Sequence, residues 1–289
     1  MIKKALHSVS RKLRHWFPDR EIEYEAIILA FVVGGTALLL FSPAPPTQWT
    51  VSPYTTAEWA AIVERYQLMP GEGEEVPDEV PRIYLNAFPA DWPAELSVSE
   101  RKRLFAAALL PLVLAENEDI SAERERMLPL LDKMDVDEPL SWREERYLRS
   151  LAVDYGLEDF SARDLRARVA PVPISLALAQ GAIESGWGTS RFARDGNAVF
   201  GQWVWNEDRG IVPSARREGA THAVREFRSL ADSVRAYARN LNTHRAYRAF
   251  RQQRAAQLSD DEVEAAALSG MQLAATMIRY SERGEKYVR

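Results

Sequence analysis

No charged residue falls between Glu25 and Glu58, and within that gap residues 26–41 read AIILAFVVGGTALLLF. This run constrains the chain more than any other feature. As a helix, sixteen residues rise ~24 Å. With Ser42 and Ala44 the span nearly reaches the ~30 Å hydrocarbon core of a bilayer. No face of the run is polar, which argues against an ordinary core helix. Residues 1–20 carry Lys3, Lys4, Arg11, Lys12, Arg14 and Arg20 against one acid, Asp19. Basic residues on that side keep the N-terminus cytoplasmic. Two readings stay open: a retained signal anchor over residues 26–45, or a signal peptide cleaved after Ala44. Glu21, Glu23 and Glu25 in a long leading region, and the proline after Ala44, favour the anchor. Residues after 46 are then expected across the membrane.

Several chemistries are excluded at once. The chain has no cysteine, so disulfides, thiolate nucleophiles and cysteine-held metals are out. The four histidines, at 7, 15, 222 and 244, have no metal-ligand spacing. Neither metal nor organic cofactor is expected. A net charge of -5 gives no general argument for binding nucleic acid.

Beyond the apolar run the chain reads as mostly helical. Trp59, Ile62, Val63 and Tyr66 mark an amphipathic helix, with Thr55 and Glu58 as a capping box. Residues 71–81, GEGEEVPDEVP, read as a solvated linker. Residues 96–134 are helical by composition, capped by Ser97 and Glu100, with Pro111 and Pro129 expected to kink or break the helix. PISLALAQGAIES reads as a short apolar helix ending at Gly186. AVFGQWVW and THAVREF read as strands, with turn and loop between them. Leu230, Val234, Tyr237 and Leu241 define a further helix started by Ser229 and Asp232. HRAYRAFRQQRAAQ is another helix. SDDEVEAAALSG, with its acidic start, and a closing segment follow. The expected class is α+β, mainly helical, with a small antiparallel β insertion.

One acid stands out. Glu184 falls in the last turn of the apolar helix, and Gly186 is a natural left-handed cap beyond it. The partial negative charge there disfavours a carboxylate by ~0.3–1 kcal/mol. Burial beside Ile183 and Trp187 would add desolvation. A glutamate raised to a pKa of ~6 is ~10% protonated at pH 7 and can act as a general acid, for example toward a glycosidic oxygen. A solvated, inert acid at a helix end fits the residues equally well. Trp187, Phe200, Trp203 and Trp205 lie close by in sequence; their faces suit sugar rings or a core.

The stretch ALAQGAIESGWGTSRFARDGNAVFGQW, residues 177–203, resembles the glucosaminidase domain of glycoside hydrolase family 73, in its Bax-like branch of bacterial envelope proteins. Its Glu-Ser pair is Glu184-Ser185, and its small-aromatic-Gly-Gln motif is Val199-Phe200-Gly201-Gln202. REFRSLADSVRAYARNLNTHRAYRAFR at 225–251 and IRYSERGEKYV at 278–288 match in order. The resemblance implies a lysozyme-like domain over residues 166–289. Residues 82–165 would be a helical region packing on it, and 46–81 a linker with a short helix. Residues 26–45 would be the transmembrane helix, and 1–25 a cytoplasmic basic segment. It implies peptidoglycan glycan strands as substrate, cut after N-acetylglucosamine, with Glu184 as catalytic acid. Ser185 and Gln202 would position the acid or bind sugar. Trp187, Phe200, Trp203, Tyr247 and Tyr280 would line the cleft. The expected location is the inner membrane, single-pass, with the catalytic domain in the periplasm.

Many relatives carry a second glutamate in the β insertion. Glu218 is the nearest candidate here, with Glu207 and Asp208 in a turn. Paired carboxylates would activate water; a lone acid would leave the substrate's acetamido group as nucleophile. The sequence leaves both open. It also leaves open a lytic transglycosylase or muramidase of the same fold, or a non-catalytic wall-binding scaffold.

Overall fold

The computed structural model describes residues 48–69, 80–93, 95–204, 210–213, 223–258 and 268–279. The expected span at 26–45, most of the 71–81 linker, and Trp205, Glu207, Asp208, Glu218 and Tyr280 lie outside the described residues. Among the described residues, no helix is long and apolar enough to cross a membrane.

The fold is mainly helical with small sheets. Strand β1 (Trp49–Val51) pairs in parallel with β2 (Ile83–Leu85). Between them, helix α1 (Thr56–Tyr66) starts where the Thr55 hydroxyl accepts the Glu58 N–H. The Glu58 carboxylate takes the N–H of Tyr54, one residue before the position of a reciprocal box. Trp59 is fully buried, and its indole N–H donates to the Leu104 carbonyl at 3.1 Å.

Helix α2 (Val98–Asp135) runs 38 residues from a complete Ser97/Glu100 capping box. It passes through both Pro111 and Pro129, so neither breaks it. Packing explains this. Leu109, Leu112 and Val113 are locked into the main core, and Met127 and Leu131, flanking Pro129, into a second. Those contacts outweigh the roughly 3 kcal/mol that a proline costs in a helix interior. The second core is closed by α3 (Trp142–Asp154) and α4 (Ala162–Arg168), through Leu148, Leu151 and Leu165.

Helix α5 (Ile174–Ser185) then packs on α2. Short helix α6 (Arg191–Gly196) leads to a three-stranded antiparallel sheet of β3 (Trp203–Val204), β4 (Gly210–Ile211) and β5 (Ala223–Arg225), with β5 central. The strand expected over 198–205 shrinks to its end. Ala198, Val199 and Phe200 are buried in the cores, and a short apolar run does not distinguish strand from buried turn. The reverse holds at β4, expected as loop, which pairs with β5.

Helix α7 (Leu230–Thr243) is capped by Ser229 and buries Leu230, Val234, Tyr237 and Leu241, as their spacing requires. A 3₁₀ turn (Arg245–Tyr247), α8 (Arg248–Leu258), α9 (Gly270–Ala274) and a second 3₁₀ turn (Ala275–Arg279) follow.

The entry to α5 is held by one side chain. Asn117 of α2 donates to the Val172 carbonyl at 2.8 Å and accepts the Val172 N–H at 2.9 Å. Both contacts are buried. Asn117→Ala is expected to lower stability by about 2–4 kcal/mol, because two backbone groups lose their partner away from water. Urea denaturation of variant and wild type checks this; a difference under about 0.5 kcal/mol would show that the clasp holds nothing.

Candidate active site

Helix α5 carries Glu184 in its last turn, as read from the sequence. Gly186 caps it with φ 59°, and its N–H donates to the Ala182 carbonyl. Ser185 is fully buried. Its hydroxyl donates to the Gly181 carbonyl at 2.6 Å and accepts the Gly188 N–H at 2.8 Å. Its side chain therefore fixes the turn behind Glu184 and is absent from the cleft lining. One turn earlier, buried Gln180 accepts a 2.7 Å hydrogen bond from the Tyr237 hydroxyl, tying α5 to α7.

Glu184 opens into a cleft of about 1060 Å³ shared with Phe200, Gln202, Trp203 and Tyr247. Its carboxylate lies over the backbone of Gly201. A Cβ built there would sit 3.1 Å from Glu184 Oε2, and Gly201 has φ 59°. The backbone conformation and the close approach both call for glycine. Trp203 is 56% exposed on β3 and lines the cleft. Phe200 is buried and stacks on Tyr237 at 4.1 Å, so it belongs mainly to the core and forms the floor. Tyr247 is buried, and burial pushes its phenol above the usual value; the Asn240 hydrogen bond works against this, and the nearby Glu184 charge adds to it.

Trp187 is a correction. It is absent from the cleft lining. Its ring meets Phe105 edge-on at 5.6 Å, with Lys102 Nζ 5.2 Å from its centroid. The left-handed run Gly186, Trp187, Gly188 coils the chain back toward α2. Ile183 is 52% exposed, so neither residue supplies the expected burial of Glu184. Glu184 is partly buried, with the Gly201 backbone and Tyr247 as its near neighbours.

The reading from sequence missed Glu226. This exposed residue follows β5 and lines the same cleft. The pairs Trp203↔Val224 and Val204↔Ala223, with the Arg225 N–H bonded to the Gln202 carbonyl at 2.8 Å, set an antiparallel register. Just past this ladder Glu226 packs beside Gly196, where a built Cβ would sit 3.3 Å from Glu226 Cγ. The next residue is pinned, since Phe227 N–H donates to the Gly196 carbonyl at 2.9 Å. Also missed were Arg225, Arg228, Arg235 and Arg239 along the cleft; Asp232 pairs with Arg228 and Arg235. A count of charged residues between motifs could have flagged them, but not their facing.

These features define a mainly helical α+β protein with an open cleft lined by carboxylates, arginines and aromatic residues. The family model described as Glucosaminidase: Mannosyl-glycoprotein endo-beta-N-acetylglucosaminidase matches residues 161–288. The chain is 31% identical to Protein bax of Escherichia coli (strain K12) over 198 residues, 66% of this chain and 67% of that protein. No solved structure matches significantly. The chain belongs to the Bax-like glucosaminidase-domain proteins.

Gly201→Ala is expected to cost about 1–2 kcal/mol from its left-handed backbone and to push the Glu184 carboxylate aside. Denaturant unfolding reads the first effect, and a crystal structure of the variant the second. An unshifted carboxylate would sink the proposed contact.

Proposed function

We propose that this protein is a peptidoglycan hydrolase, an endo-β-N-acetylglucosaminidase cutting the β-1,4 bond after N-acetylglucosamine. The observation that carries the reading is Glu184 at the end of α5, facing a cleft with Gln202, Trp203 and Tyr247. Glu184 protonates the leaving oxygen. Trp203 stacks on a sugar ring, and Gln202 and Tyr247 bind sugar beside the acid. The lysozyme-like character of the domain, residues 166–289, is part of the same proposal. Glu226 is the second carboxylate in place of Glu218, and activates water for direct displacement.

Glu184→Gln keeps the shape and removes the acid. Muropeptide release should fall by roughly 10²–10⁴-fold while the melting temperature holds; full activity in a folded variant would overturn the assignment. Glu226→Gln should lose rate on a similar scale. Direct attack by water inverts the anomeric carbon, so NMR on a short glycan should first see the α product. A β product would restore the acetamido route. Mass spectrometry separates the rivals: anhydro ends mean a transglycosylase, and no release at all means a wall-binding scaffold.

The basic segment 1–25 and uncharged residues 26–45 support an inner-membrane anchor with the domain in the periplasm. A reporter fused after residue 60 should work only as a periplasmic reporter. Activity solely in the cytoplasm would refute the orientation and the wall substrate together.

A further inference from the structure

We propose that a second, arginine-lined pocket beside the cleft binds the free carboxylates of the peptide stems that a peptidoglycan strand carries. The proposal extends the hydrolase reading and rests on it for the choice of ligand. The pocket measures about 1000 Å³ and lies between α4 and α8, with seven arginines and two aspartates in its lining.

The partners of those arginines separate them into groups. Arg166 is neutralised, paired with Asp132 and Asp135 at 2.9 and 2.7 Å. Arg124 donates to the Arg166 and Val169 carbonyls. Arg168 donates to those of Tyr155, Gly156 and Thr243, and Arg251 to those of Leu241 and His244. Carbonyls satisfy N–H donors but leave the charge in place. Arg163, Arg245 and Arg248 are exposed, and their guanidinium groups have no hydrogen-bond or ion-pair partner among the described residues. Asp164 is the one remaining carboxylate in the lining. The crowding is felt inside: burial, then Arg168 and Arg248, push Arg251 down to about 10, with Asp164 opposing.

Isolated surface cations are usually just solvated. This cluster differs in being concave, so that several cations converge on one space, and in standing in a chain of net charge -5. Planar guanidinium forks match carboxylates two bonds at a time. Position selects the ligand. His244 and Tyr247 line the cleft, while their chain neighbours Arg245 and Arg248 line the pocket. The two sites are the two sides of one turn, whose successive Cα atoms are about 3.8 Å apart. Thr243, whose carbonyl holds Arg168, also lines the cleft. A strand with its sugars in the cleft would hang a stem peptide over this turn.

The test compares full-length Glu184→Gln protein in detergent with the same protein carrying Arg163→Glu, Arg245→Glu and Arg248→Glu. All three sites are exposed, and matched melting curves establish that the fold holds. Sedimentation measures binding to peptide-bearing strands, to strands stripped of stems by an amidase, and to phosphatidylglycerol vesicles. The triple change should weaken binding to peptide-bearing strands roughly tenfold or more, flatten its salt dependence, and leave stripped strands unaffected. Equal affinity for peptide-bearing strands overturns the proposal. So does an equal loss on stripped strands, or a loss confined to vesicles, which would make the pocket a lipid-headgroup site. The readout is binding alone. If wild-type protein released no muropeptides while stem binding still depended on these arginines, the hydrolase reading would fail and this one stand.

Discussion

The approach of the Glu184 carboxylate to the bare backbone of Gly201 sets the geometry of the cleft. Two elements must be placed independently for it to occur. Helix α5 is fixed at its start by the Asn117 clasp on Val172, in its middle by Gln180 and Tyr237, and at its end by Ser185. The opposing chain arrives through buried Val199 and Phe200, turns left-handed at Gly201, and becomes β3. A helix as apolar as α5 has few places to go except against α2 and α9. Two of its polar side chains, Gln180 and Ser185, are buried and need partners, and these decide which register it takes there.

Local signals in the sequence survived folding well. The caps at Thr55, Ser97 and Ser229 and the left-handed Gly186 are read within one turn of chain, and all four are present. The four-three-four spacing of α7 likewise needs no distant partner. What failed depends on distant partners. Trp187 looks like a cleft residue until Phe105 and Lys102, more than 80 positions earlier, claim its ring. Pro129 looks like a helix breaker until Met127 and Leu131 are seen in a second core. Glu226 joins Glu184 in one cleft only through the way the sheet folds back on α6. Glu218, Glu207 and Asp208, the carboxylates reached by sequence position, lie outside the described residues.

Arginine does structural work here that composition hides. The last turn of α4 and the connection to α5 present carbonyls at Ala167, Ala170 and Pro171, the last two in buried contacts. Arg254, fully buried, donates to all three and to Asn242. No carboxylate is among these partners, and burial, then Arg124 and Arg251, drive Arg254 down to about 9. Helix α8 thus joins the α4–α5 connection through a cation, because one guanidinium supplies several donors in a fixed fork. The backbone accounting is closed at an electrostatic cost, and the same residue type accumulates on the outer side of that joint.

The cleft combines supports of different stiffness. Glu184 stands on a helix whose core face is almost wholly buried, and such a platform holds a side chain more tightly than a loop does. Trp203 stands on a strand of two residues, in a sheet whose other strands have two and three. So few ladder bonds resist local opening weakly. Glu226 lies between these extremes, since Phe227 beside it is tied to α6 by its own N–H to Gly196 and by Asn197 Nδ2 to its carbonyl. General acid catalysis tolerates little error in the position of the proton donor, whereas a stacking platform can shift along a ring and still make contact. On the proposed reading, the stiffer support lies under the group with the narrower tolerance.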